Sequence, residues 1–265
     1  MNAGVLYFVV NKPEQNVEKS IKEHYDLAVR SVKSLKTYMP HLSTTLFTNL
    51  DLKNLESDCF NNIVVTKTPK DMWSYKYKCL LNSPYEYTLH MDADTYVCDS
   101  FLEVFDLLNT FDFVAPLSPY YISLELNEVP SCFPELAGGF MLWRKNKKTQ
   151  DLLTKILELV KHRARRVADE PYIRKALYES DVRYAVIPWE YNCVCLVPGY
   201  LFSKVKVMHG RSRDIIGDTK IINQRTSPRV FTGETLFQLR PSKKRRKFVE
   251  VDRAVHYGHY NGVKK

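Results

Sequence analysis

The chain has 265 residues, 45% of them apolar, and a formal charge of +9. That length supports one sizeable core, and no Gly/Ser/Pro-rich stretch divides it, which argues against a string of domains. The opening MNAGVLYFVVNKPEQN has no basic leader, and its apolar run is too short for a signal anchor or a membrane span, so a soluble, cytoplasmic protein is expected.

The positive excess indicates affinity for anions, with nucleotide diphosphate, nucleic acid and an anionic membrane surface all open. Much of it lies in two basic runs, residues 162–166 and 243–247, which read as solvated faces or weak membrane-surface contacts. The six cysteines are scattered and form no paired CxxC zinc pattern, so reduced thiols are expected. Cys193 and Cys195 fit strand alternation, with a disulfide left open.

Residues 5–10 are a continuous β-prone run, as in a strand buried on both faces. Tyr25, Ala28, Val29, Val32 and Leu35 recur at helical spacing over residues 24–38, and Pro40 ends the pattern. Strands follow at 44–48 and 63–66, a helix at 75–81, and a strand at 87–91 after Asn82-Ser83-Pro84. Four strands with helical crossovers predict an α/β fold with a mostly parallel sheet, whose ligands bind beyond the carboxyl ends of the strands. Further on, residues 101–109 read as a helix capped by Asp99, 113–116 as a strand, and 149–162 as an amphipathic helix. Residues 223–265 lose the pattern and read as a basic extension of a domain formed by 1–222.

Asp92 and Asp94 flank Ala93 at the predicted end of strand 87–91. Hard divalent cations such as Mn²⁺ or Mg²⁺ take carboxylate oxygens and keep positions open for substrate phosphates. An Asp-rich solvent turn yields the same tripeptide, so the pair alone leaves both readings standing. His90, inside the strand, reads as a core residue.

The longer string SPYEYTLHMDADTYV, residues 83–97, resembles the segment of GT-A type, glycogenin-like glycosyltransferases in which a Ser-Pro-Tyr turn leads into a strand ending in Asp-Ala-Asp-Thr. The likeness continues in order through Lys78, Ala137-Gly138-Gly139-Phe140-Met141-Leu142, Asp169-Glu170-Pro171 and Val207-Met208-His209-Gly210-Arg211. It implies a single Rossmann-like GT-A domain that moves a sugar from a nucleotide-diphosphate donor, a UDP-sugar on family frequency, to a glycan, glycoconjugate or other hydroxyl acceptor. By the same resemblance Asp92, Asp94 and His209 hold Mn²⁺ or Mg²⁺. Val9, Val10, Asn11, Lys78, Asp92, Ala93, Asp94, Gly138, Gly139 and Arg211 meet the nucleotide sugar, and Arg213 is a further cation for the diphosphate. Asp169 and Glu170 are the catalytic candidates. Glu170 stands where the retaining glycogenin-like pattern has Gln, so inversion and retention both stay open.

Each assignment has a physical reason. A departing nucleoside diphosphate gathers negative charge and needs cations where that charge develops. Paired glycines let a sugar approach the backbone. Acidic residues followed by Pro at a helix start are also ordinary capping chemistry, which leaves Asp169 and Glu170 with a structural alternative. Glu190 is a second candidate for acceptor contact, with Trp189 as a stacking face, and Trp73, Tyr75, Tyr77, Tyr120 and Tyr121 are aromatic candidates beside the cleft. The competing functions are a basic nucleic-acid-binding protein or two-metal phosphodiesterase using the same acidic pair, and a catalytically silent interaction module. The first lacks a helix-turn-helix, RNP or finger signature, so the favoured reading leaves nucleic acid out as a partner.

Overall fold

The structure, a computed structural model, describes residues 2–10, 18–53, 55–69, 71–119, 124–162, 168–195, 197–212, 214–231, 235–240 and 247–253. Asn11, Tyr120, Tyr121, Arg213 and most of both basic runs lie outside them.

The first half runs β1 (Ala3–Val9), α1 (Glu18–Tyr38), β2 (Ser43–Thr48), β3 (Asn62–Val65), α2 (Met72–Leu81), β4 (Tyr87–Met91) and β5 (Thr95–Val97). A 3₁₀ helix (Leu102–Asn109), β6 (Phe113–Pro116), β7 (Phe140–Arg144), α3 (Lys147–Lys161), α4 (Glu170–Tyr178) and β8 (Tyr184–Ile187) follow. The chain then makes β9 (Cys193–Val194), β10 (Gly199–Leu201), β11 (Val207–His209), α5 (Ile215–Asn223), β12 (Arg229–Phe231), β13 (Thr235–Arg240) and β14 (Lys247–Arg253).

Seven strands form the central sheet in the order β3-β2-β1-β4-β7-β6-β8. The expected mostly parallel sheet is a mixed one, because β7 pairs antiparallel with both β4 and β6. The helical crossovers are also fewer than the strand pattern suggested: residues 49–61, between the parallel strands β2 and β3, contain no helix among the described residues. Strand β1 shows why the centre is stable. Val5, Tyr7 and Val9 face one apolar cluster with α1 and the 3₁₀ helix, whereas Leu6 faces the other with α2, α3 and α4. Alternating positions thus fill two cores, each buried Leu- or Val-sized side chain contributing about 1.5–3 kcal/mol.

Local chemistry sets the helix ends. Asp71 caps α2 through Ser74 N at 2.9 Å, and Asn146 with Thr149 forms a reciprocal capping box on α3. Leu152, Leu153, Ile156 and Val160 bury the inward stripe of α3 as their spacing predicts. Asp99 does not cap the 3₁₀ helix. Its carboxylate takes Lys204 at 3.3 Å and Lys206 at 3.2 Å, and Phe101 occupies the cap position without a side-chain bond.

Two smaller sheets complete the fold. The order β5-β11-β9 brings the segment after the acidic pair against the late histidine, and β10-β12-β13-β14 places three strands within residues 223–265. The six cysteines are all free thiols. No helix among the described residues is long and apolar enough to cross a membrane.

Candidate active site

Residues 92–94 form the turn between β4 and β5, at the carboxyl end of β4. Asp92 N donates to Gly139 O at 3.0 Å, and Gly210 N donates to Asp94 O at 2.9 Å. The turn is therefore fastened to the start of β7 on one side and to the end of β11 on the other. Gly210 carries φ of 124°, a left-handed conformation open to glycine, directly after His209. Strand β11 pairs antiparallel with β5 so that His209 lies opposite Thr95.

Ligating atoms of Asp92, Asp94 and His209 all lie within 4.8 Å of one another. His209 Nε2 is 3.3 Å from Asp94 Oδ1 and 3.7 Å from Asp92 Oδ2. Its Nδ1 is 3.0 Å from Oδ1 of the buried Asn192. With the proton on Nδ1, that bond leaves the Nε2 lone pair aimed at the two carboxylates, the orientation a metal-binding imidazole needs. Without an ion, burial works against the charged ring, but Asp94 and Asp92 outweigh it and raise His209 to about 9. Burial pushes both carboxyls up. Lys76, His90 and His209 overcome it at Asp92, which lies well below the usual carboxylate range, and His209 holds Asp94 low.

The cation beside the acidic pair is Lys76 rather than Lys78. Two residues along a helix is a turn of about 200°, so the two lysines occupy opposite faces of α2. Lys78 is exposed, whereas the Lys76 side chain is 6% exposed and its Nζ lies 3.1 Å from Asp169 Oδ2 and 3.6 Å from Asp92 Oδ1. It also donates to Gly138 O at 3.2 Å. Burial disfavours its charge, but Asp169 and Asp92 more than compensate and raise it above the ordinary lysine range.

Asp169 begins α4, yet its side chain makes no cap hydrogen bond. Instead Oδ2 accepts from Tyr77 Oη at 2.7 Å and from Lys76. The side chain of Asp169 therefore does not serve the capping alternative. Glu170, half-buried beside it, is pushed up to about 8 by burial and then by the Asp169 charge. The glycine pair makes room for these side chains themselves. A Cβ on Gly138 would fall 2.8 Å from Asp169 Oδ1, and one on Gly139 would fall 2.5 Å from His209 Cε1 and 2.8 Å from Asp92 Oδ2.

A cavity of about 220 Å³ opens over this cluster. His24, Lys76, Asp92 and Asp94 are its polar lining, and Phe8, Val10, Met72, Trp73 and Ala93 its apolar lining. A larger open groove of about 490 Å³ runs along the outer side of α1 by Arg30 and Tyr96, but it contains no converging ligating groups, so chemistry favours the smaller cavity. Val9 is buried in the core, and its neighbour Val10 lines the cavity. Arg211 reaches the cavity rim through His24, its Nη2 lying 3.1 Å from the ring Nδ1. Sequence reasoning passed over His24, Lys76, Asn192 and Tyr77's tie to Asp169, because only tertiary packing brings them to the acidic turn. His90, read as a plain core residue, is buried and also directs Nε2 at Asp92 Oδ1, 3.1 Å away.

The other aromatic and acidic candidates separate. Trp73 lines the cavity, Tyr75 packs on Phe8 at a centroid distance of 6.4 Å, and Glu190 and Trp189 lie elsewhere. Glu190 is buried and accepts from Phe202 N at 2.5 Å and Ser203 N at 2.8 Å, which makes it a loop anchor. Trp189 covers Gly199 so closely that a Cβ there would fall 0.8 Å from Cζ3.

No known family matches the sequence, and no curated protein does. The structure is similar to that of the glycosyltransferase GlyE in Streptococcus pneumoniae TIGR4, with a TM-score of 0.54 and 14% identity over 80% of this chain. The chain shares the fold of that neighbour. It spans 56% of the length of that neighbour. On this fold, Asp92 and Asp94 follow the fourth strand of the mixed central sheet in sequence, β4, and His209 reaches them from β11 of the small β5-β11-β9 sheet.

Proposed function

We propose that this chain is a metal-dependent glycosyltransferase that moves a sugar from a nucleotide-diphosphate donor, a UDP-sugar by resemblance, to a hydroxyl of a carbohydrate or other acceptor. The observation that carries the reading is the convergence of ligating atoms of Asp92, Asp94 and His209 within 4.8 Å, the two aspartates lining a cavity together with Lys76. Two carboxylates and one imidazole suit Mn²⁺, with Mg²⁺ as the harder alternative, and the Asn192 contact fixes His209 for that role. When bound, the ion supplies positive charge to the diphosphate as it departs.

The chain's own residues do the rest. Lys76 presents a buried ammonium beside the acidic turn and meets the same developing charge directly. Asp169 holds that ammonium in place, and the Tyr77 hydroxyl in turn holds Asp169. Burial and the Asp169 charge favour the protonated form of Glu170, which suits it to donate a hydrogen bond to a sugar oxygen. The apolar wall of Phe8, Met72 and Trp73 takes the flat faces of donor or base, and His24 with Arg211 borders the phosphate end. Two-metal phosphodiester chemistry would require a further acidic set, and the described residues contain one such group.

A thermal-shift panel of nucleotide sugars with and without Mn²⁺ tests the reading. A donor at about 100 times its Kd adds about 2.7 kcal/mol of apparent stability, and this gain is expected only with the ion present. Equal shifts with and without Mn²⁺, or none across UDP-, GDP- and other nucleotide sugars, would remove it.

A further inference from the structure

We infer that Thr95, backed by Ser31 and Tyr7, is the positioning residue of the acidic site: a buried chain of hydroxyls runs from β1 through α1 to the Asp92 carbonyl and sets the affinity of the site for a divalent cation. The inference rests on the metal reading above.

The direction of each bond follows from counting protons. A hydroxyl has one to give. The Asp92 carbonyl only accepts, so Thr95 Oγ1 donates to it, at 2.8 Å. Thr95 Oγ1 then accepts from Ser31 Oγ at 2.7 Å, and Ser31 Oγ, its own proton used, is the oxygen acceptor for Tyr7 Oη at 3.1 Å, in competition with the weaker thioether acceptor Met91 Sδ at 3.9 Å. All three residues are wholly buried, at 0% exposure. Buried hydroxyls give little net stability over apolar groups of the same shape, about 1 kcal/mol per hydrogen bond, but a fully directed chain admits one arrangement of the turn it ends on.

Thr95 also adjoins all three residues of the ligand set along the backbone. Its side chain holds the Asp92 carbonyl, its backbone follows Asp94, and its partner across the β5/β11 ladder is His209. Ser34, one turn beyond Ser31 on α1, receives Val97 N at 2.9 Å and so fixes the rest of β5 to the same helix. Strand β5 thereby has its place set by α1 on one side and by the histidine strand on the other.

Mn²⁺ titration of the full chain by electron paramagnetic resonance, at a temperature where every variant is folded by circular dichroism, tests this. Thr95→Val is expected to weaken Mn²⁺ binding about 10–100-fold, the range for losing a partner of a ligand. Ser31→Ala should lose less, Tyr7→Phe least, and Thr95→Ser should keep affinity within about 3-fold, since it retains the hydroxyl. Purely structural hydroxyls would lower the unfolding midpoint without ordering the affinities in this way. If Thr95→Val does not fold, Ser31→Ala against Tyr7→Phe carries the comparison. Wild-type affinity in Ser31→Ala and Thr95→Val, or a Thr95→Ser as weak as Thr95→Val, overturns the relay alone. A wild-type chain that binds no Mn²⁺ overturns the metal reading and the relay together.

Discussion

Replacing Lys76 by Met isolates the interaction that ties the acidic turn to α4. The Lys76 and Asp169 side chains are 6% and 2% exposed, with Nζ 3.1 Å from Oδ2, so neither charge can turn to solvent when its partner goes. Stranding a buried carboxylate costs about 3–5 kcal/mol, and among the described residues Tyr77 Oη is the one other side-chain donor on that oxygen, so Lys76→Met should destabilise by this amount. Asp169→Asn keeps an acceptor for Tyr77 and leaves Lys76 with Asp92 and Gly138 O, so about 1.5–3 kcal/mol is expected. In the double variant the two losses should fail to add by about 2 kcal/mol. The folded-state pKa of Lys76 lies above its unfolded value, so its contribution is fully present below about pH 10 and is lost only as pH rises beyond it. Urea unfolding at pH 7 therefore measures the whole effect. Single losses under about 1 kcal/mol, or strictly additive ones, would show that the pair is solvated and that the reasoning about this cluster is wrong.

Three further outcomes follow from the geometry. Gly139→Ala puts a methyl 2.5 Å from His209 Cε1 and 2.8 Å from Asp92 Oδ2, so Mn²⁺ affinity read by titration calorimetry should fall at least about 10-fold while circular dichroism stays native. Glu170 has a raised folded pKa, so the native state binds the extra proton between about pH 4.5 and about 8 and stability falls with rising pH across that window. Glu170→Gln removes that slope and should match or exceed wild-type stability at pH 8.5; an unchanged slope in denaturant titrations from pH 5 to 8.5 would count against it. Glu190→Gln weakens the acceptor for Phe202 N and Ser203 N and should cost about 1.5–3 kcal/mol in urea unfolding with Mn²⁺ affinity unchanged, whereas a loss of donor turnover without loss of stability would return Glu190 to the acceptor site.

The strands and long helices were legible because apolar period announces them. The 87–91 strand ends at Met91 as read, and α1 and α3 show the stripes that their spacing implies. The reversal of β7 was not, since residues 117–139 carry no period that fixes direction. On α2, the sequence MWSYKYKCLL places a lysine on each of two faces, and neighbouring elements alone decide which one is buried. Ser31 and Ser34 interrupt an apolar stripe, a visible signal that polar groups in the core need partners, but their partners Thr95 and Val97 lie 64 and 63 residues away. The acidic pair, the glycine pair and His209 stood out as motifs, and packing explains them jointly: the glycines are small because the acid and histidine side chains fill their space.

Release of nucleoside diphosphate from a panel of UDP- and GDP-sugars, followed with and without Mn²⁺ for the wild type and for Asp94→Asn, tests the central claim most directly. The account predicts slow release from at least one donor by the wild type with Mn²⁺, and loss of at least about 100-fold both without the ion and in Asp94→Asn, as expected when charge stabilisation at the leaving group is removed. Release that persists undiminished in Asp94→Asn, or that ignores Mn²⁺, would contradict it.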